Sequence, residues 1–165
     1  MADNYTVKNY SVAQIAYLAG IIDGEGCVYI GNHSCNKETG AKYYQTLIKI
    51  SSTDICLIDW LTTTFGGLRG EYTPTQMSKN GRKQVYFWQC SGNRLTHLCQ
   101  LILPFVIIKK AEIEIMLKMR ATFNGVTQKG KQGIQTHSQE LLDLRQTYLN
   151  QLRALHIRNH TYNRD

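Results

Sequence analysis

Leu18-Ala19-Gly20-Ile21-Ile22-Asp23-Gly24-Glu25-Gly26 sets two glycines four residues apart in an apolar run and closes on two carboxylates. Residues four apart share a helix face. Gly20 and Gly24, extended by Ala16, therefore form a stripe of small residues along which another backbone can approach closely. A glycine inside a helix costs about 1 kcal/mol against alanine, so Ala16, Gly20 and Gly24 are expected to recover that cost in close packing. Asp23, at the helix end, is better placed to hydrogen-bond neighbouring backbone than to titrate. Upstream, Ser11 and Gln14 have capping-box spacing, and Tyr10 and Ile15 stand where a hydrophobic staple closes. The helix is expected to end near Asp23, at Gly24-Glu25-Gly26.

Outward from this segment, Cys27 to Ile30 reads as a strand and Asn32 to Lys42 as a polar hairpin loop. Tyr43 to Ser51 alternates, with Tyr44, Thr46, Ile48 and Ile50 on one face. A helix follows from about Asp54 to Phe65, stopped by Gly66-Gly67. Leu68 to Thr73 and Lys83 to Cys90 form a second strand pair around the loop Pro74 to Arg82. Asn93 to Leu103 is helical and ends at Pro104, and Lys109 to Ala121 is a further helix. Phe123 to Thr136 is a Gly/Lys/Gln-rich connector. Ser138 to Leu155 forms a last helix with Leu141, Leu144, Tyr148, Leu152 and Leu155 on one stripe.

The order is α-β-β-α-β-β-α plus further helices: an α+β fold. Four antiparallel strands in two hairpins need helices on one face only, which leaves the other available. The reading is a single domain over 1–165, with a core over about 11–122, a connector over 123–137 and a C-terminal helix over 138–155. No internal repeat is visible.

The 165 residues are enough for one domain with a real core. Nineteen Lys+Arg against 12 Asp+Glu give a net charge of +7, which favours a polyanionic partner, nucleic acid being the commonest. Five cysteines (Cys27, Cys35, Cys56, Cys90, Cys99) are odd in number and lack C-x-x-C spacing, and no apolar signal segment precedes Tyr10. Free thiols in a reducing intracellular compartment are expected. His33-x-Cys35 and His156-x-x-x-His160 have no second half at zinc-site spacing, and no apolar run reaches the roughly 18 residues of a membrane span.

The nonapeptide resembles the signature of the LAGLIDADG homing endonucleases. Six of nine positions are identical, with Ile21 for Leu, Gly24 for Ala and Glu25 for Asp. The resemblance covers roughly Ser11 to Arg120. It implies a saddle-like sheet that binds double-stranded DNA, and site-specific double-strand cleavage by metal-dependent hydrolysis. It implies Glu25 as the metal-holding acid, with the Gly24 backbone a further possible ligand. Mg²⁺ is the expected ion, with Mn²⁺ able to substitute and Ca²⁺ binding without supporting cleavage. No small-molecule cofactor is implied. Because the motif occurs once, the resemblance implies a homodimer through that helix. One carboxylate per subunit is a poor site, whereas two across a two-fold axis with DNA phosphates suit Mg²⁺.

Leu103-Pro104-Phe105-Val106-Ile107-Ile108-Lys109-Lys110 resembles the family's stretch leading to the active-site lysine, which falls on Lys109. A helix start disfavours a cation, which favours a functional role. Where some relatives carry Gln and Arg after the second strand, this chain has Ser51-Ser52-Thr53-Asp54. Ser52 and Asp54 are candidates for the active-site periphery, and one of Ser52 and Thr53 is expected as an N-cap. The implied compartment is an organelle, chloroplast or mitochondrion, or a prokaryotic cytoplasm. The alternative reading is an RNA-splicing maturase, or a DNA-binding regulator on the same fold that lost cleavage.

A strand of about ten residues spans about 33 Å, close to ten base-pair steps at about 3.4 Å. Two subunits would thus cover about 20 pseudo-palindromic base pairs. With Ile48 and Ile50 inward, Tyr43, Gln45, Lys49 and Ser51 face the DNA. With Leu68 and Tyr72 inward, Arg69, Glu71 and Thr73 face it. With Val28 and Ile30 inward, Cys27, Tyr29 and His33 do, and Tyr86 and Trp88 are expected inward. Arg and Lys suit guanine, Gln adenine and Glu cytosine. Lys79, Arg82, Lys83, Lys129 and Lys131 are expected at phosphates.

Overall fold

The computed structural model describes residues 9–34, 42–73, 83–124, 128–129, 135–136 and 138–161. Ser11 caps the first helix, α1 (Val12–Glu25). Its hydroxyl accepts from the Gln14 N–H at 3.2 Å while its own N–H donates to the Gln14 side chain at 2.9 Å. Two otherwise orphaned backbone donors are satisfied reciprocally, as the spacing predicts. Tyr10 lies with its ring 5.0 Å from Phe65 and 6.5 Å from His97.

The helix does not stop at Gly24. Gly24 and Glu25 complete its last turn, and Gly26 is the cap in extended conformation, its N–H donating to the Ile22 carbonyl. The chain passes straight into a strand, so no left-handed glycine is required. A Cβ on Gly26 would lie 2.6 Å from the Ile22 oxygen, so it is Gly26 that the sharp exit needs.

The sheet has four strands, β1 (Gly26–Ser34), β2 (Lys42–Ser52), β3 (Leu68–Tyr72) and β4 (Val85–Ser91), in the order β1-β2-β4-β3. β4 runs antiparallel to both β2 and β3. α2 (Ile55–Phe65) lies between β2 and β3, and α3 (Gly92–Ile102) follows β4, ahead of α4 (Lys110–Ala121), a 3-10 turn (Thr122–Asn124) and α5 (Gln139–Thr161). β1 runs on through Asn32 to Ser34, past the Ile30 at which the sequence suggests its end. The connector also holds a two-residue pairing, β5 (Gln128–Lys129) with β6 (Gln135–Thr136).

The chain forms two compact units. One comprises Met1–Tyr29 and Leu47–Lys109, the other Ile30–Thr46 and Lys110–Asp165. In the first, α2 and α3 pack on β4, and α1 packs on α3. Ile15, Leu18, Ala19 and Ile22 of α1 are buried together with Ile58, Leu61, Phe65, Leu95, Leu98 and Ile102. Trp88 is buried in this core, and its indole N–H donates to the Gly66 carbonyl.

In the second unit α4 packs against α5. The Tyr44 hydroxyl and the Asn32 amide both donate to the Gln146 side-chain oxygen at 3.1 Å. Arg145 is only 2% exposed. Its Nε donates to the Thr122 hydroxyl at 3.0 Å and its Nη2 to the Thr122 carbonyl at 2.9 Å, with the Phe123 ring 4.5 Å from the guanidinium. Burial holds the Arg145 pKa below its ordinary value and raises that of Tyr44. A buried cation persists only with such partners.

Arg145 also explains why the expected stripe on α5 is rotated. Arg145, Leu149 and Leu152 are buried, whereas Leu144 is 41% exposed. A stripe drawn through apolar residues passes over an arginine that is buried whole, its guanidinium bonded to Thr122. Leu149→Ala is therefore expected to cost roughly 2–5 kcal/mol and Leu144→Ala less than about 0.5 kcal/mol. Urea midpoints of the two variants check this; equal losses would return Leu144 to the core.

Candidate active site and nucleic-acid interface

The carboxyl end of α1 is joined to the segment that follows Pro104. The Asp23 carboxylate accepts the Ile107 N–H at 2.7 Å and the Lys109 N–H at 2.9 Å. The sequence assigned Asp23 to backbone hydrogen bonding, and that is its role. Charge-assisted bonds of this kind are about twice as strong as neutral ones. They fix the Lys109 backbone beside the turn that carries Glu25. Lys109 is half-buried and stands one residue ahead of α4, rather than as its first residue.

Glu25 is exposed at the last residue of α1, not beyond the helix. Among the described residues its carboxylate has no hydrogen bond or ion pair. The negative end of the helix dipole is an unfavourable place for a carboxylate, and a cation there would relieve it. No three His, Cys, Asp or Glu are grouped as a metal site among the described residues. One chain therefore offers hard oxygen donors suited to Mg²⁺, Glu25 and the Gly24 carbonyl, but too few to enclose an ion.

Ser52 and Asp54 have local duties. Asp54 rather than Ser52 or Thr53 is the N-cap of α2, accepting from the Cys56 N–H at 2.8 Å, and the Ser52 hydroxyl accepts from the Asp54 N–H at 3.0 Å. The cap shifts because the helix starts at Ile55 instead of Asp54.

On α1, Ala16, Gly20 and Gly24 are exposed. A Cβ on Gly20 or Gly24 would meet nothing within 4 Å, so none of the described residues uses the close approach these glycines permit. Val12 and Tyr17 on the same helix are exposed, as are Ile107 at 84% and Ile108 at 71%.

Sidedness of the sheet follows from β4. Trp88 and Cys90 are buried, and their partners Ile50 and Ile48 on β2 are buried with them. Lys49 and Ser51 therefore face the other way, opposite Gln89 and Phe87. On β1, Val28 is buried while Cys27 and Tyr29 are exposed. In the second unit Tyr44 and Thr46 are buried, Tyr43 is exposed and stacks on His33 at 5.2 Å, and Gln45 is half-buried. These positions match the alternation.

β3 is the correction. Leu68 and Tyr72 are 59% and 44% exposed, and the register sets Arg69 opposite buried Trp88 and Glu71 opposite Tyr86. Directly opposed residues share a face, so Arg69 and Glu71 lie on the helix side. The Arg69 Nε donates to Asp59 of α2 at 2.6 Å, and its guanidinium lies 5.8 Å from the Tyr86 ring. Thr73 donates to the Gln84 side chain at 2.9 Å. β3 is an edge strand, short and exposed on both faces, so hydrophobicity alone cannot tell its sides apart. Leu68, Gly70 and Tyr72 share the open face with Phe87.

That face carries a cluster the alternation rule missed. Lys49 Nζ lies 4.3 Å from the Phe87 ring centroid and 5.4 Å from that of Tyr72. A Cβ on Gly70 would collide with the Phe87 ring, so the ring lies across the strand at that glycine. Gly70 amid larger residues was the available signal, since an interior strand glycine often marks a close approach.

Lys83 is exposed just ahead of β4. Lys79, Arg82, Lys131 and Cys35 lie outside the described residues, as do the side chains of Lys129 and His160. Cys27 and Cys56 are free and exposed, while Cys90 and Cys99 are buried. His156 lies 3.3 Å from buried Glu112, away from any metal-like grouping. Among the described residues no helix is long and apolar enough to cross a membrane.

The fold is that of the LAGLIDADG homing endonucleases. The chain is similar to the homing endonuclease I-CvuI, solved in complex with its target in the presence of calcium: TM-score 0.67, 15% identity, 87% of this chain and 82% of that one. An archaeal intron-encoded homing endonuclease complexed with DNA matches with TM-score 0.59 and 14% identity, over 87% of this chain and 94% of that one. The LAGLIDADG homing endonuclease I-LtrWI, bound to target DNA, gives TM-score 0.56 and 18% identity, over 89% of this chain but 45% of that one. No protein-family model matches the sequence, and no curated protein is similar to it at a significant level.

Asp23→Ala removes both acceptors of the 107–109 segment. Hydrogen exchange at the Ile107 and Lys109 amides is expected to accelerate by at least about tenfold, with the α2 amides unchanged, because each lost bond is worth about 1.5–3 kcal/mol. Unchanged protection at Ile107 and Lys109 would dissolve the clamp.

Proposed function

We propose that the chain is a site-specific DNA endonuclease that acts as a homodimer and hydrolyses both strands of a pseudo-palindromic target of about 20 base pairs. The observation that carries this reading is the Asp23 clamp, which holds Lys109 against the helix end where Glu25 stands free. A free carboxylate at Glu25 and a cation whose backbone is tied to Asp23, two residues away, suit phosphodiester chemistry. The fold supports it, since the similar proteins include homing endonucleases solved with DNA.

Two copies of Glu25, each with a Gly24 carbonyl, would hold Mg²⁺ together with phosphate oxygens. A bound Mg²⁺ supplies charge neutralisation at the phosphate and a more acidic water. Mn²⁺ is expected to substitute, and Ca²⁺ to bind without supporting cleavage. Lys109 contributes positive charge towards the phosphorane-like transition state. The exposed stripe Ala16, Gly20 and Gly24 supports pairing through α1, with the exposed Ile107 and Ile108 beside its carboxyl end. The match to less than half of the I-LtrWI chain supports the same assembly, with two copies of this chain doing what one longer chain does.

Glu25→Gln keeps the shape and removes the charge. Cleavage of a target recovered from a plasmid site library with Mg²⁺ is expected to fall by two or more orders of magnitude, a loss of roughly 3 kcal/mol or more, while binding in Ca²⁺ persists. Loss of binding and cleavage together would make Glu25 structural. Lys109→Met is expected to lose less.

Gly20→Leu fills the stripe without touching the chain's own core. Sedimentation is expected to show a folded monomer with helical content unchanged by circular dichroism and a Tm that no longer depends on concentration, and a Gly20→Leu dimer that cleaves normally would remove pairing through α1.

A further inference from the structure

The open face of β3 and β4 differs in chemistry from a hydrogen-bonding surface. Leu68, Tyr72, Val85 and Phe87 follow one another across it, with Lys49 held over the rings and Gln89 as the uncharged polar neighbour. The one arginine of β3 is turned to the other side and paired with Asp59. Leu68 and Tyr72 stay largely exposed, and an apolar patch on a basic protein calls for an occupant that is anionic outside and apolar at the point of contact. In the major groove only the pyrimidine C5-methyl group meets that description, and apolar side chains are its usual partners.

The geometry points to thymine C5-methyl groups as what Leu68, Tyr72 and Phe87 read. This rests on the sheet being the DNA-binding face, and it makes the β3–β4 part of each half-site T-rich on one strand. Phe87 presents a fixed ring because it lies across Gly70, so a methyl group packs on it without ordering a mobile side chain. Lys49 contributes charge beside the platform, where an ammonium over two rings is already held in place.

The test uses the full-length protein with Ca²⁺ and duplexes selected by it from a randomised library. Thymidines of the selected duplex are replaced one at a time by deoxyuridine, which removes the methyl and leaves the base-pair hydrogen bonds. At one or more positions Kd is expected to rise about fourfold, the worth of one buried methyl-sized group. Leu68→Asn and Tyr72→Ser, at exposed positions, are expected to fold normally and abolish that difference. Placing 5-methylcytosine for cytosine in a T-to-C version of the site is expected to regain a similar factor. If no deoxyuridine matters while the selected duplex still outcompetes random DNA, methyl reading is overturned and DNA recognition stands. Methyl reading is equally overturned if both variants keep the thymidine preference, or if they alter only the sedimentation of the protein, which would make the patch a protein contact. A selection that yields no preferred sequence overturns DNA recognition itself, and this inference with it.

Discussion

The burial of Trp88 fixes the orientation of the sheet around it. Its indole is anchored to the Gly66 carbonyl, and its β2 and β3 partners are Ile50 and Arg69. Because side chains alternate with a period of two, that one placement decides the facing of every residue on three strands. Lys49, Ser51, Phe87, Gln89, Leu68 and Tyr72 are turned outward together. A slip of one residue at β4 would exchange the apolar platform for Arg69 and Glu71.

A second constraint acts at the end of α1. The turn after Pro104 buries Val106 but leaves Phe105, Ile107 and Ile108 exposed. The Asp23 carboxylate accepts two backbone N–H groups of that segment and so gives Lys109 a defined support. The signature nonapeptide thus divides its labour among neighbouring residues. Leu18, Ala19 and Ile22 are buried in the first unit, Gly20 and Gly24 stay bare, Asp23 positions the turn, and Glu25 is left available.

Most of this was legible in the sequence where a local rule acts without competition. The Ser11–Gln14 box, the alternation of β2 and the stop at Gly66-Gly67 depend on neighbours along the chain. The errors fall where a partner distant in sequence decides. Leu68 and Tyr72 read as core because they are apolar, yet β3 has only five residues and lies at the edge. The register with Trp88 and the Asp59 ion pair overrule hydrophobicity there. On α5, a polar residue took the central buried position, so the stripe drawn through Leu144 was offset. The Asp23 carboxylate could be assigned to backbone bonding in advance, but not to Ile107 and Lys109, because 84 and 86 residues separate the partners.

Phe87 resting across Gly70 couples two positions on different strands. Any side chain at 70 displaces the ring, and a smaller residue at 87 uncovers the strand beneath it. Substitutions at the two sites therefore cannot act independently: an alanine harmful at 70 beside phenylalanine becomes acceptable once 87 has shrunk. Any change to the chemistry of this face must alter both positions together or pass through an impaired intermediate.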